Sequence, residues 1–151
     1  MNQSLSISVK YGVFVAVTLI AFFLVLRLVG LHENPWLRLF NGVAMAAGIF
    51  FSLKYYKLKT GGEMTYINGI KTAILTGFIA TGIFSAFMAV YLFHLDPDFT
   101  ELLMGTWFKN YDAGPGLLVF IIILEGLASS VVMALSFMQY FKKSKSVGQY
   151  E

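Results

Sequence analysis

Four long stretches of the chain are almost entirely apolar, and each approaches or exceeds the length of a membrane-crossing helix. A hydrocarbon core of ~30 Å is spanned by about 20 consecutive apolar residues in a helix. The predicted spans are residues 10–30, 36–56, 66–93 and 117–141. The pattern therefore predicts an all-α membrane protein, in which residues 1–151 form a single domain of four transmembrane helices.

Short polar signals mark the ends of these stretches. Pro35 suits the first position of the second helix, with Asn34 as its N-cap, and the pair Gly61 and Gly62 interrupts the helical pattern after that helix. The first stretch follows Lys10 and so resembles a signal peptide, but it is too long and no small-residue cleavage site follows it. We interpret it as a retained helix.

The segment 94–116, between the third and fourth spans, has a pattern of its own. Asp96 can cap a short helix whose first turn contains Pro97 and Asp98, where negative charge suits the helix dipole. Its apolar residues then fall near one helical face. They are Phe99, Leu102, Leu103, Trp107, Phe108 and Tyr111. This predicts a short amphipathic helix in the headgroup layer, which serves as a structural lid or anchor rather than a substrate gate.

Small residues recur every four positions on the predicted helices. In lipid, helices associate through close backbone approach and polar contacts, because burying apolar surface between them gains little. These stripes therefore predict a tightly packed antiparallel bundle. The predicted packing residues are Gly69, Ala73, Gly77, Thr81 and Ser85 on the third helix, and Gly126 and Ser130 on the fourth.

One carboxylate lies deep within the last predicted span. Glu125 begins a stripe of polar residues that continues with Ser129, Ser136 and Gln139 at helical spacing. Such a stripe should face the protein interior or water, since lipid would leave its groups unpaired. We expect Glu125 to be protonated or to pair with a cation, and Arg27 near the outer end of the first helix is the natural candidate. Glu125 then either fixes the register of the bundle or binds a proton or ion.

Composition and charge support a membrane protein and set its orientation. Hydrophobic residues make up 58% of the chain and charged residues 13%, with a mean hydropathy of +0.73, whereas soluble domains carry about 25% charged residues. With both termini in the cytoplasm, the inner surfaces carry eight basic residues and the outer surfaces three, as the positive-inside rule requires. The outer three are Arg27, Arg38 and Lys109.

No motif in the chain indicates an enzyme. The absence of cysteine excludes disulfides, thiolate metal sites and cysteine nucleophiles, and no catalytic or phosphate-binding spacing occurs. His94, Asp96 and Asp98 could suggest a metal site, but Pro97 and the helical pattern after it disfavour the required geometry. We predict no metal, no cofactor, no nucleic-acid partner and no identifiable small-molecule substrate.

The chain resembles a bacterial family of small four-helix membrane proteins known as a domain of unknown function. The resemblance is carried by "GIFFSLKYYKLKTGGEMTYINGIKTAILTGFIAT", by the outer "DPDFTELL" and by the last helix "LEGLASSVVMALSFMQYFKKS". A glutamate early in the final helix of that family matches Glu125. Members often have a proline shortly after it, which this chain lacks. The resemblance implies a four-helix fold in the bacterial inner membrane, and no activity.

These observations favour a non-enzymatic membrane protein that acts as an accessory or subunit of a membrane assembly. Its expected partners are the lipid bilayer and either further copies of itself or another membrane protein. The alternative is a small transporter or ion-coupled subunit that uses Glu125. The direction in which the polar stripe faces separates these hypotheses, because a hydrated cavity favours transport, a dry interior favours packing, and an outer face favours a partner helix.

Overall fold

The described part of the chain is entirely helical in a computed structural model, which confirms the predicted all-α class. The structure describes residues 3–31, 35–62, 64–107 and 114–141, apart from the side chains at 35, 38, 106 and 107. Within these ranges there are five α-helices, one π-helical turn and no strand. They are α1 (Gln3–Leu28), α2 (Pro35–Lys59), α3 (Tyr66–Val90), the π turn (Tyr91–Leu95), α4 (Pro97–Trp107) and α5 (Pro115–Phe141).

Three helices are long and apolar enough to cross a membrane. They are α1, α3 together with the π turn, and α5, with 26, 30 and 27 residues. The helix predicted as the second span, α2, is not among them, and its last six residues contain the charged side chains of Lys54, Lys57 and Lys59. The side chain of Arg38, which is also in α2, lies outside the described part. The structure is thus compatible with a membrane protein, and the four-helix antiparallel bundle stays a prediction.

The first helix begins at Gln3, seven residues before the predicted start of the first span. The added turns carry serines that bond to α3: the Ser4 and Thr72 hydroxyl groups lie 2.8 Å apart, and the Ser8 hydroxyl donates to the Thr72 carbonyl at 3.1 Å. These contacts satisfy polar groups between the helices, so α1 can extend beyond the purely apolar stretch.

The signals predicted at the ends of α2 are confirmed where the structure describes them. Pro35 is the first residue of α2, and its predicted cap Asn34 lies outside the described residues. At the other end, Gly61 and Gly62 have φ angles of 64° and 89°. The Gly62 N–H donates to the Lys57 carbonyl at 3.0 Å. Two glycines with positive φ angles therefore end the helix, and glycine is the residue type that adopts such angles most readily.

The central helix of the described part is α3, which packs against α1, α2 and α5. Its contact with α1 is the most extensive. Gly12 lies against Ile79, and the rings of Phe23 and Phe87 are 6.2 Å apart. Because both residue numbers rise together along this contact, α1 and α3 run in the same direction.

The helices α3 and α5 run in opposite directions, and small residues form the contact between them. A Cβ atom built on Gly77 would overlap the side chain of Ser130, and one built on Gly126 would lie 2.5 Å from Thr81. The backbones are therefore closer than a larger residue at either glycine would allow. All of the predicted packing residues on α3 are buried, as is Ser130 on α5. They are Gly69, Ala73, Gly77, Thr81 and Ser85.

Candidate functional site

The polar stripe of α5 (Glu125, Ser129, Ser136 and Gln139) lies on the side of the helix that points away from the protein. The buried residues of α5 are Ser130, Ala134 and Met138. At about 100° per residue, Ala134 lies about 180° around the helix from Glu125. Glu125 is accordingly exposed on the surface of the chain.

The other members of the stripe share this direction. Each lies within about 40° of Glu125 around the helix axis. Ser136 and Gln139 are exposed and Ser129 is half-buried, and the Ser136 hydroxyl donates to the carbonyl of Val132 at 2.8 Å within its own helix. Among the directions that the sequence left open, the stripe therefore takes the outer face of this chain, because the small residues of α5 occupy its inner face.

The depth of the stripe matters as much as its direction. Glu125 lies ten residues after Pro115, the first residue of α5, which is about 15 Å along a helix of about 40 Å. Its neighbours on the exposed surface are apolar, with Leu124 51% and Val132 62% exposed. A carboxyl group, hydroxyl groups and an amide are thus displayed on an otherwise apolar surface of a helix that is long and apolar enough to cross a membrane. Each of these groups can hydrogen-bond to a second helix.

The predicted cation for Glu125 lies in a different cluster. Arg27, in the last turn of α1, forms an ion pair with Asp96, with 3.3 Å between Nη2 and Oδ2. Its guanidinium also lies over the ring of Tyr91, 4.9 Å from the ring centre. The ion pair is partly solvated, with the side chains 39% and 21% exposed. It joins the end of α1 to the segment after α3.

A π-helical turn, which the sequence analysis did not predict, positions this cluster. The Asp96 N–H donates to the Tyr91 carbonyl five residues earlier, at 3.1 Å, and the Tyr91 hydroxyl donates to the Asp96 carboxylate at 3.0 Å. Tyr91 itself is only 1% exposed, and its ring packs edge-on against Phe23 at 4.9 Å. A single residue inserted into α3 thereby turns a tyrosine inward and brings Asp96 to Arg27.

Asp96 also caps the short helix α4, as predicted. Its Oδ1 accepts a hydrogen bond from the Phe99 N–H at 3.1 Å, which satisfies one of the free donors of the first turn. The Thr100 hydroxyl donates to the Leu92 carbonyl at 2.9 Å, and Phe99 is buried against Tyr91. These contacts hold α4 against the end of α3. Of the predicted apolar face, the Trp107 side chain, Phe108 and Tyr111 lie outside the described residues.

The described residues around Asp96 do not form a metal centre. His94 and Asp98 are exposed, and the oxygens of Asp96 accept hydrogen bonds from Arg27, Tyr91 and the Phe99 backbone. Across the ranges that the structure describes, no three histidine, aspartate or glutamate side chains are grouped as metal ligands. This cluster instead holds the end of α1 against the π turn and α4 through an ion pair and hydrogen bonds.

One comparison with known proteins gives a match. A family model described as "Protein of unknown function (DUF4199)" matches residues 10–113, and no curated protein and no solved structure matches the chain. The matched segment includes most of α1, all of α2, α3 and α4, and the Arg27–Asp96 cluster. It ends before α5, so the polar stripe lies outside it. The match confirms the resemblance to a family of unknown function, while the four spans and the glutamate in the last helix stay predictions.

Proposed function

We propose that this chain, which belongs to the family described as "Protein of unknown function (DUF4199)", is a non-enzymatic subunit of a membrane assembly. The family assignment follows from a match over 104 of its 151 residues, counted from 10 to 113. The observation that carries the proposal is the direction of Glu125. A carboxyl group at membrane depth, on the face opposite to the packed one, indicates that another membrane protein covers that face.

The proposal includes four membrane spans, α1, α2, α3 and α5, in an antiparallel bundle. The lengths of α1, α3 and α5 support this, as do contacts of Tyr11 with Tyr55 and Phe22 with Phe40, which run α2 opposite to α1. We place the chain in the bacterial inner membrane with both termini in the cytoplasm, because its basic residues concentrate on that side. In this orientation Asp96 and α4 lie at the outer surface.

The orientation is testable because the natural chain has no cysteine. In Asp98→Cys and Lys59→Cys variants, both at exposed positions, we expect a membrane-impermeant maleimide to label only Asp98→Cys in cells with a permeable outer envelope and an intact inner membrane. Lys59→Cys should be labelled only after the inner membrane is lysed. The reverse pattern would invert the topology, and labelling of both before lysis would contradict the spans.

Energetics favour a covered stripe over a lipid-exposed one. An acidic residue at the centre of a membrane helix costs roughly 2.5–3.5 kcal/mol on insertion scales. Inside this chain, the inner face of α5 is already filled by Ser130, Ala134 and Met138. A neighbouring helix over the opposite face would remove the stripe from contact with lipid.

A photo-crosslinking experiment tests whether a protein covers the stripe. Benzoylphenylalanine at position 132, beside the stripe, should give a heavier protein band after irradiation in native membranes. The control is position 17 near the middle of α1, where the native valine is 58% exposed against 62% for Val132, and only lipid adducts without a size shift are expected there. Equal yields at the two positions, or no heavier band at position 132, would refute the proposal.

The alternative, a small transporter that uses Glu125, receives less support from the geometry. Glu125 points away from α3, which is the helix at the centre of the described contacts. A pathway lined by Glu125 would therefore run along the outside of this chain and need a second protein to close it. Association with a partner thus comes before any transport activity.

A further inference from the structure

We propose that Lys10 and Lys59, at one end of the helices, bind the phosphate group of an anionic phospholipid. The two lysines lie in α1 and α2 and converge on the ring of Tyr55, which also contacts Tyr11. We call these four residues the Tyr55 cluster. This inference goes beyond the proposed function, because it requires the chain to lie in a membrane but does not require a protein to cover α5.

The Tyr55 cluster brings two like charges from different helices to one aromatic ring. The Lys10 Nζ lies 5.8 Å from the centre of the Tyr55 ring, and the Lys59 Nζ lies 5.6 Å from it. The two ammonium groups are therefore no more than about 11 Å apart, and salt screens charges over about 8 Å at physiological ionic strength. Both lysines are exposed. An anion that binds between them would relieve their mutual repulsion.

The opposite end of α1 shows how this chain neutralises a cation on a tyrosine ring. There, the Arg27 guanidinium lies 4.9 Å from the centre of the Tyr91 ring and forms an ion pair with Asp96. In contrast, neither Lys10 nor Lys59 forms an ion pair or a hydrogen bond with any residue that the structure describes. The Tyr55 cluster thus lacks the anion that Asp96 provides to Arg27, and a ligand can supply it.

The surroundings of the Tyr55 cluster also favour a negatively charged ligand. Among the described residues, this end carries five lysines and no acidic side chain, since Asp96 and α4 lie at the opposite end. Glu63, in the connection between α2 and α3, lies outside the described residues. The five lysines are Lys10, Lys54, Lys57, Lys59 and Lys71. Basic groups gathered between membrane helices at one surface are a common site for anionic headgroups.

The exposed apolar residues next to the cluster indicate a lipid as the source of the phosphate. On α2, Lys59, Tyr55 and Phe51 follow one another at intervals of four residues, so they lie on one side of the helix about 6 Å apart along its axis. On α1, Lys10 is followed in the same way by Phe14. Phe14 is 69% exposed and Phe51 is 52% exposed. This order of charge, tyrosine and apolar ring matches the headgroup, the interface and the acyl chains of a phospholipid, whereas free phosphate would use only the lysines.

Lipid binding to the purified full chain in a mild detergent tests the site. The probes are phosphatidylglycerol, which is anionic, and phosphatidylcholine with the same acyl chains, which has no net charge. Native mass spectrometry measures the bound fraction of each lipid. A lysine close to anionic lipid contributes about 1 kcal/mol, or roughly fivefold in affinity. The double variant Lys10→Gln with Lys59→Gln should therefore bind phosphatidylglycerol about 25-fold more weakly than the natural chain, with phosphatidylcholine binding unchanged.

The matched control is Lys54→Gln with Lys71→Gln, which removes the same charge from exposed positions at the same end. Neither of these lysines lies over an aromatic ring within the described part of the chain, and this variant should keep most of the affinity for phosphatidylglycerol. Lys10→Arg with Lys59→Arg keeps both charges and should also keep it. Equal losses in the two glutamine variants would overturn the site, because general attraction to a positive surface would then explain the binding.

Two further results would contradict the proposal. Equal affinity of the natural chain for the two lipids would show that the site does not select an anion. Displacement of phosphatidylglycerol by an equal concentration of inorganic phosphate would show that the ligand is free phosphate. A Tm equal to that of the natural chain without added lipid confirms that each variant is folded, and the single variants, each expected to lose about fivefold, repeat the test with one lysine kept.

The lipid measurement is independent of the proposed function, because only the purified chain and lipid are present. No preference for phosphatidylglycerol, together with a heavier band from benzoylphenylalanine at position 132, would refute the lipid site and leave the subunit function. The preference without that band would refute the subunit function and leave the lipid site.

Discussion

Replacing Gly77 by alanine should destabilise the contact between α3 and α5. An ideal Cβ atom at this position overlaps Cβ and Oγ of Ser130 and lies 3.3 Å from its Cα. Since the backbone of α5 is involved, a new rotamer of Ser130 does not relieve the overlap, and the helices must separate. Overpacking of this kind typically costs about 1–3 kcal/mol.

The matched control is Gly82→Ala in the same helix. A Cβ atom there meets nothing within 4 Å, and both substitutions gain the same helix propensity, up to about 1 kcal/mol. The difference between the two variants therefore isolates the packing penalty of about 1–3 kcal/mol. At roughly 2–4 °C per kcal/mol for a chain of this size, the Tm of Gly77→Ala should lie about 2–12 °C below that of Gly82→Ala.

The assay is thermal unfolding of the purified protein in a mild detergent, followed by loss of the monodisperse chromatographic peak. Equal Tm values for the two alanine variants would refute the close approach of α3 and α5. The exchange Gly77→Ser with Ser130→Gly moves the side chain to the other helix at constant volume, and should recover most of the lost stability. Failure of this exchange would show that Gly77 acts through something other than volume.

Substitutions at two further positions, Asp96 and Thr72, probe the polar contacts, with Tm as the measurement. Asp96→Asn keeps the N-cap of α4 but loses the carboxylate oxygen that pairs with Arg27 and accepts from the Tyr91 hydroxyl, which should cost about 1–2 kcal/mol. Asp96→Ala also loses the cap and should cost about 1 kcal/mol more; equal effects would contradict the capping role. Thr72→Val removes the hydroxyl that bonds α3 to Ser4 and should cost about 1 kcal/mol. Its control, Thr18→Val, removes only a bond within α1, so an effect as large there would contradict the interhelical role of Thr72.

Local sequence signals located the helix ends well where they have a local physical cause. The glycine pair after α2 and the proline at its start act through backbone conformation, and Asp96 acts through its own side chain on the next turn. The early start of α1 had no such signal, because the serines that support it bond to α3. The π turn at Tyr91 was missed for a similar reason, since its inserted residue is held by Arg27 and α4.

For the candidate site, the sequence by itself determined that Glu125, Ser129, Ser136 and Gln139 share one side of a helix, because the helical repeat sets the angles between them. Only the tertiary structure decided that this side faces outward. The helical repeat does not fix how a helix is rotated against its neighbours; here the interlocking of Gly126 and its small neighbours with α3 fixes it. Likewise, the sequence pattern placed both Arg27 and Asp96 near the outer ends of the helices. Their ion pair required the fold of the π turn, because sequence spacing does not specify the distances between segments.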